Sequence, residues 1–210
     1  MKRLVLLLIL VCVSSAAMAQ KVDAAFVVGE SIVSDTNTTE NFGGLPPTFF
    51  VTFKTGNHIF LEGAFGLRLV NAHAASLSLD VPIASIPSQT VTSASTAGTL
   101  TTPSDLSSLF ITPGLQLKLL PGSSISPWVT FGGGWARYAQ GSFITNKPAI
   151  EYGGGLDFKT GLPLLGFRAE VRDFVTEDFL NGSFGSVFDT NSSGLHHHNV
   201  LVGGGVVLRF

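Results

Sequence analysis

Asn199-Val200-Leu201-Val202-Gly203-Gly204-Gly205-Val206-Val207-Leu208-Arg209-Phe210 ends the sequence in a pattern of period two. Side chains alternate faces along a β-strand. One face of this stretch therefore carries Val200, Val202, Gly204, Val206, Leu208 and Phe210, and the other Asn199, Leu201, Gly203, Gly205, Val207 and Arg209. The first face is apolar throughout. The second mixes charge, amide and glycine.

The same division recurs upstream. Ile59, Leu61, Gly63, Phe65, Leu67 and Leu69 oppose His58, Phe60, Glu62, Ala64, Gly66 and Arg68. Leu109–Leu119 sets leucines against Gln116 and Lys118, and Ala149–Lys159 sets Ile150, Tyr152, Leu156 and Phe158 against Glu151, Asp157 and Lys159. Phe167, Ala169 and Val171 oppose Arg168, Glu170 and Arg172. Val22–Val33, Thr48–Thr55 and Pro127–Tyr138 are weaker candidates, which brings the expected strands to eight.

Composition excludes the main competitors. Only 12% of the 210 residues are charged, against about 25% in ordinary soluble domains. Such a chain is too apolar and too poor in charge for disorder. A net charge of −2 offers no basic surface to nucleic acid. Gly 24 and Phe 17 replace the Ala, Glu, Lys and Leu that helical bundles need.

The N-terminus reads as a cleaved signal peptide over residues 1–19. Lys2 and Arg3 precede the apolar run Leu4–Val13, and Ala17-Met18-Ala19 supplies small residues on either side of Met18. The run is too short for the ~20 residues of a spanning helix. Cys12, the single cysteine, lies in this run behind bulky Val11, which argues against lipidation, and residues 20–210 form one domain without a disulfide framework.

Spacing between the strands separates a soluble sandwich from a membrane barrel. Connections alternate short and long: Gly56–Asn57, Pro121–Ser126 and Gly161–Leu165 against Ser34–Pro46, Asn71–Leu106, Ala139–Pro148 and Glu177–His197. Short periplasmic turns, long external loops and strands of about ten residues with one apolar face describe an outer-membrane barrel. The expected fold is all-β: an eight-stranded antiparallel up-and-down transmembrane β-barrel with both termini in the periplasm.

The chain resembles the small eight-stranded outer-membrane barrels of the OmpX/OmpW-like "outer membrane protein beta-barrel" family. Ser126-Pro127-Trp128-Val129, Gly166-Phe167-Arg168-Ala169-Glu170-Val171-Arg172-Asp173-Phe174 and Val206-Val207-Leu208-Arg209-Phe210 carry the resemblance. It implies that Val206, Leu208 and Phe210 act as the signal read by the barrel-assembly machinery. It also implies outer-membrane lipid and lipopolysaccharide as surroundings, and it speaks to location and fold better than to activity.

Parity sends Asp23, Lys54, Glu62, Arg68, Lys118, Glu151, Asp157, Lys159, Arg168, Glu170, Arg172 and Arg209 inward. Eight strands leave an interior that side chains just fill. Unpaired buried charge is costly, so Glu62, Arg68, Lys118, Glu151, Asp157, Arg168, Glu170 and Arg172 are expected to form a lumen network of ion pairs. The glycine triplets 132–134, 153–155 and 203–205 lack the following helix of a phosphate loop. They suit curvature, or clearance for an inward Trp128 or Phe60, and Gly154 and Gly204 are the positions where valine should slow assembly.

Parity also turns Trp128 and Tyr138 inward, although aromatic belts at the two interfaces would want them outside, with Phe49, Phe53 and Phe158. A bulge among the glycines would reconcile the two. His196-His197-His198 cannot converge on one ion, because neighbours on a strand diverge. His73 and Ser76 fall near the zone of an outer-leaflet acyl hydrolase, but no motif orders them.

The expectation is a monomeric, non-enzymatic outer-membrane protein with a structural or surface-contact role, no open pore, no metal, no cofactor and no nucleic-acid partner. The 71–106 loop, rich in Ser, Thr and Ala, is its candidate contact element, with Leu77, Leu79, Val81, Ile83 and Ile86 able to extend a hairpin beyond the membrane. Two alternatives differ in class. One is OmpW-like passage of small apolar molecules through mouth and wall, for which Pro113 and the glycines are the cues; the other is a soluble exported ligand-binding barrel.

Overall fold

A computed structural model describes residues 22–33, 51–55, 58–72, 74–95, 98–162, 164–177 and 196–210, with side chains outside 33, 51–55, 90–95, 98–105, 177 and 196. Ala17, Ala19, Cys12, Phe49, His73, the turn 56–57 and the segments 34–50 and 178–195 lie outside the described residues, as do the side chains of Phe53, Lys54 and His196.

Ten strands follow in order: β1 Val22–Val33, β2 Val51–Thr55, β3 His58–Asn71, β4 Ala75–Ser95, β5 Gly98–Ile111, β6 Gly114–Leu119, β7 Ile125–Gln140, β8 Phe143–Lys159, β9 Leu165–Glu177 and β10 His196–Arg209. All pairings are antiparallel. β5 and β6 are one wall strand interrupted at Thr112–Pro113, since both lie between β4 and β7. The wall runs β1, β3, β4, β5/β6, β7, β8, β9, β10 and returns to β1 through the pair Phe26↔Val206. This is a closed barrel of eight strands. At its periplasmic end the Phe210 amide donates to the Val22 carbonyl at 2.9 Å.

The count of eight is as expected, but two of its members differ. Of the 48–55 segment the described part, Val51–Thr55, is not a wall strand: among the described residues β2 pairs only with the upper end of β4, through Val51↔Ser95 to Thr55↔Val91. Residues 71–106 are not one loop, because β4 and most of β5 occupy them. Consequently β3 runs toward the periplasm rather than away from it, and at that end the Ala72 amide donates to the Ala75 carbonyl at 2.8 Å. Leu77, Leu79, Val81 and Ile83 belong to the lower part of β4, where they pair with β6, β3 and β5 rather than extending above the membrane.

The 139–148 connection also shrinks, to the two-residue turn Gly141–Ser142 between β7 and β8. Gly141 has φ 58°, the positive value that a II′ hairpin turn places at its first central residue. The physical reason for these differences is common to all three. A transmembrane strand needs about 9–11 residues, yet β4 has 21 and β8 has 17. The upper parts of β4 and β5, residues 88–95 and 98–105, are rich in Ser and Thr and carry no hydrophobic alternation, while the hydrogen-bond ladder continues.

The outside is apolar. Ile59 is 68% exposed, Phe131 65% and Phe65 59%, and Phe26, Leu115, Val129, Ile150, Phe167, Val171 and Val202 continue the surface around the circumference. Water would expel such a surface; lipid accommodates it. Charges and amides lie buried inside: Glu62, Asp80, Gln89, Gln116, Glu151, Arg172 and Asn199 among them. That inversion marks a membrane-spanning barrel.

Candidate functional site: the packed lumen

Three layers fill the barrel. Nearest the periplasm is a cluster around Asp157, a residue of β8 two positions from its end. Lys118 Nζ lies 2.7 Å from Asp157 Oδ2, Arg168 Nε 2.8 Å from Oδ1, and Arg209 3.5 Å from Oδ2. The Trp128 indole donates to the same carboxylate at 3.2 Å. One anion thus gathers three cations and an N–H. Asp23 extends the cluster, 3.3 Å from Lys118 and 3.6 Å from Arg68.

The middle layer inverts the arrangement. Arg172, fully buried, lies 3.1 Å from Glu62, 3.1 Å from Asp80, 2.5 Å from Glu151 and 3.5 Å from Glu170. One cation gathers four carboxylates, which come from β3, β4, β8 and β9. Thr112, at the break between β5 and β6, donates its hydroxyl to Glu151 at 3.0 Å. Trp128 separates the layers, with Arg168 4.7 Å and Arg172 5.1 Å from its ring. A cation over an indole face is attracted by the ring quadrupole.

The upper layer is apolar. Val27, Phe60, Ala84, Ile86, Leu106, Phe110, Ala136, Tyr138, Ala149, Phe174 and Leu201 form one buried cluster. The rings of Phe110 and Phe174 are 4.8 Å apart, and Phe110 meets Tyr138 edge-on at 6.0 Å. Buried Gln89, Ser108, Thr176 and Asn199 lie among them: the Tyr138 and Thr176 hydroxyls are 2.9 Å apart, Asn199 Nδ2 donates to the Tyr138 hydroxyl at 3.4 Å, and the Ser108 hydroxyl to Gln89 at 3.2 Å. An apolar layer of this kind lowers the dielectric beside the ionic middle, which strengthens its contacts.

All eight residues expected in the lumen network lie within these two ionic layers. Asp80 joins them without having been anticipated: it sits in the Ser/Thr-rich stretch read as loop, although the alternation Ser76, Ser78, Asp80 against Leu77, Leu79, Val81 carried its signal. The apolar cap was also missed. Phe60 and Phe110 occupy inward parity positions, but parity does not tell a lumen-filling aromatic from one at an interface.

Trp128 and Tyr138 are both buried in the lumen, so neither contributes to an interfacial belt. The β7–β8 register runs from Ile125↔Phe158 to Gln140↔Phe143 without a shift, so no bulge lies between those two strands. Glycine provides the room instead. A Cβ on Gly155 would lie 2.7 Å from the Trp128 ring, and one on Gly203 the same distance from Phe60. The most crowded glycines are the inward ones. Gly204 faces outward with its nearest neighbour 3.6 Å away, whereas a Cβ on the outward Gly154 would lie 3.0 Å from the Trp128 carbonyl, so of these two positions only Gly154 is tight.

His197 is buried while His198 faces outward, where Nδ1 is 2.7 Å from Asp173 Oδ2; the Tyr152 hydroxyl donates to that oxygen at 2.6 Å. Ser76 is buried opposite Lys118, at the periplasmic end and far from the outer leaflet.

No protein-family model matches the sequence, and no curated protein matches it. Among solved structures, the outer membrane protein OprG from Pseudomonas aeruginosa superposes with a TM-score of 0.54 at 11% identity, over 91% of this chain and 95% of that one. Neisserial surface protein A superposes with a TM-score of 0.48 at 10% identity, over 91% and 97% of the two chains. At 11% identity the likeness to OprG is one of fold. The fold is that of a small outer-membrane β-barrel, and the apolar exterior makes this chain an integral one.

Proposed function

We propose that this outer-membrane barrel is closed to solutes, non-enzymatic and monomeric, and serves the envelope as a structural and surface-contact element. The observation that carries the reading is the stacked lumen: an apolar cap over two interlocked ionic layers. A solute crossing it would have to separate Arg172 from four carboxylates or displace Phe110 and Phe174. The contact surface is the extension of β4 and β5 above the bilayer, widened by β2. On the periplasmic side the outward Val206, Leu208 and Phe210 are available to the assembly machinery, as the family resemblance implies, while lipid and lipopolysaccharide surround the wall.

Planar bilayers test this reading. The reconstituted barrel should give no discrete conductance steps, and reproducible steps at moderate voltage would sink the closed reading.

One observation favours a second reading, lateral passage of small apolar molecules. Pairing between β4 and its neighbour lapses between Asp80↔Gly114 and Ile83↔Ile111, where Val81–Pro82 faces Thr112–Pro113. Two prolines lack the N–H that a ladder needs. This reading expects barrel-dependent transfer of a small apolar fluorophore between vesicles, reduced by Pro113→Val.

A further inference from the structure

The periplasmic mouth holds a cavity of about 410 Å³, bordered by Arg68, Lys159 and Arg209 on its polar side and by Leu162, Leu164 and Phe210 on its apolar side. That volume is in the range of small-ligand sites. We infer that it is a binding site for a phosphoryl anion, with the headgroup of an anionic phospholipid from the periplasmic leaflet as the ligand its two-sided lining fits.

Charge at the mouth is unbalanced. Arg68, Lys118, Lys159, Arg168 and Arg209 cluster there against Asp23 and Asp157. Arg168 also approaches Glu170 at 3.9 Å. The cavity's own border carries Arg68, Lys159 and Arg209 and no acidic side chain. A phosphodiester monoanion offsets that local positive charge.

The cations also have spare donors. Arg209 and Arg68 reach their carboxylates only at 3.5 and 3.6 Å, longer than a hydrogen bond, and the buried Arg68 Nε has no hydrogen-bond partner. Guanidinium groups present several N–H donors in a fork that matches phosphate oxygens. Lys159 lies at the same rim, where its ammonium donates to the Gly122 carbonyl at 2.8 Å and adds positive charge.

The apolar lip selects between sources of phosphate. Leu162 is 61% exposed, Leu164 53% and Phe210 64%, and they continue into the lipid-facing wall through Leu208 and Phe167. A free anion has no use for that lip. A phospholipid would place its phosphate among the cations and its glycerol and first methylenes on Leu162, Leu164 and Phe210.

The location at the periplasmic leaflet rests on the outer-membrane reading, whereas the cavity and its charge do not. The experiment therefore has two arms. In the first, the full-length barrel is incorporated in phosphatidylcholine nanodiscs doped with a minor fraction of phosphatidylglycerol and released for native mass spectrometry. One phosphatidylglycerol should be retained in preference to phosphatidylcholine. Arg209→Gln should weaken retention by about tenfold, the loss of one charge-assisted hydrogen bond.

In the second arm, inorganic phosphate is titrated into the detergent-solubilised barrel and followed by phosphorus NMR. Weak phosphate binding, lost in the same variant, confirms the cationic site. Phosphate binding without lipid preference overturns the lipid assignment and leaves a soluble anion as ligand. If Arg209→Gln does not fold, Lys159→Gln and Arg68→Gln carry the test. Absence of binding in both arms, or binding unaffected by all three substitutions, overturns the site. Release of the protein by carbonate without detergent would instead overturn the membrane reading, with the phosphate arm still interpretable.

Discussion

Replacing Arg172 with methionine removes the only cation from the middle layer while keeping a flexible side chain of similar length. Arg172 is fully buried, with Glu62, Asp80, Glu151 and Glu170 all within 3.5 Å. Removing one partner of a buried ion pair costs about 3–5 kcal/mol, because the other is left charged and dry. The loss should not fall evenly. Glu151 keeps the Thr112 hydroxyl, whereas neither oxygen of Glu62 or Glu170 has a hydrogen bond to fall back on.

Two consequences follow from that asymmetry. Arg172→Met alone should cost about 3–5 kcal/mol of unfolding free energy. Adding Glu62→Gln and Glu170→Gln should return a large part of it, since Glu62 would otherwise stay charged without a hydrogen bond and Glu170 with only the long Arg168 contact at 3.9 Å. The assay is guanidinium unfolding of the barrel refolded in zwitterionic micelles, read by the fluorescence of Trp128 and Trp135 and by the shift between folded and unfolded bands on a denaturing gel. A single variant within about 1 kcal/mol of the parent, the level expected of an exposed pair, would refute the reasoning. So would a triple variant no more stable than the single one.

Other substitutions separate the layers. Gly155→Ala and Gly203→Ala put a methyl into the Trp128 and Phe60 rings and should each cost about 1–3 kcal/mol by overpacking, while outward Gly204→Ala should fold like the parent in the same titration. Phe110→Ala opens the apolar cap and should lose about 3–5 kcal/mol, with conductance measured on the same sample to show whether the cap or the ionic layers close the lumen. Asp173→Asn breaks the exposed contacts to His198 and Tyr152 and should change stability by less than about 1 kcal/mol.

Strand parity was the most legible property of this sequence. Arg168, Glu170 and Arg172 alternate with Phe167, Ala169 and Val171, and that order alone turns the first three inward. It also turned Trp128 inward, against the habit of interfacial aromatics, and the inward-facing Gly155 beside it gives the indole its place. What periodicity could not convey was the extent of each strand. β4 and β5 leave the bilayer, and in their upper parts, rich in Ser and Thr, no contrast of hydrophobicity marks them, so their ladder is invisible to a pattern search. Nor does parity say which inward residues meet. Asp80 reaches Arg172 from 92 positions away, a contact fixed by the circumference of the barrel rather than by any local motif.

Phe60 lies across the line where the barrel closes. Gly29 on β1 and Gly203 on β10 are paired, and Phe60 is paired with Gly29 from the other side. Its ring occupies the space that a Cβ on either glycine would need. A slip of two residues along that line would bring Val27, Ser31, Leu201 or Gly205 beneath the ring, and three of these carry a side chain. Hydrogen bonds between the first and last strands would tolerate the slip, since every backbone register offers the same donors and acceptors. The ring does not. Phe60 therefore ties the register of the β1–β10 seam to the packing of the lumen: the one cannot shift without disturbing the other.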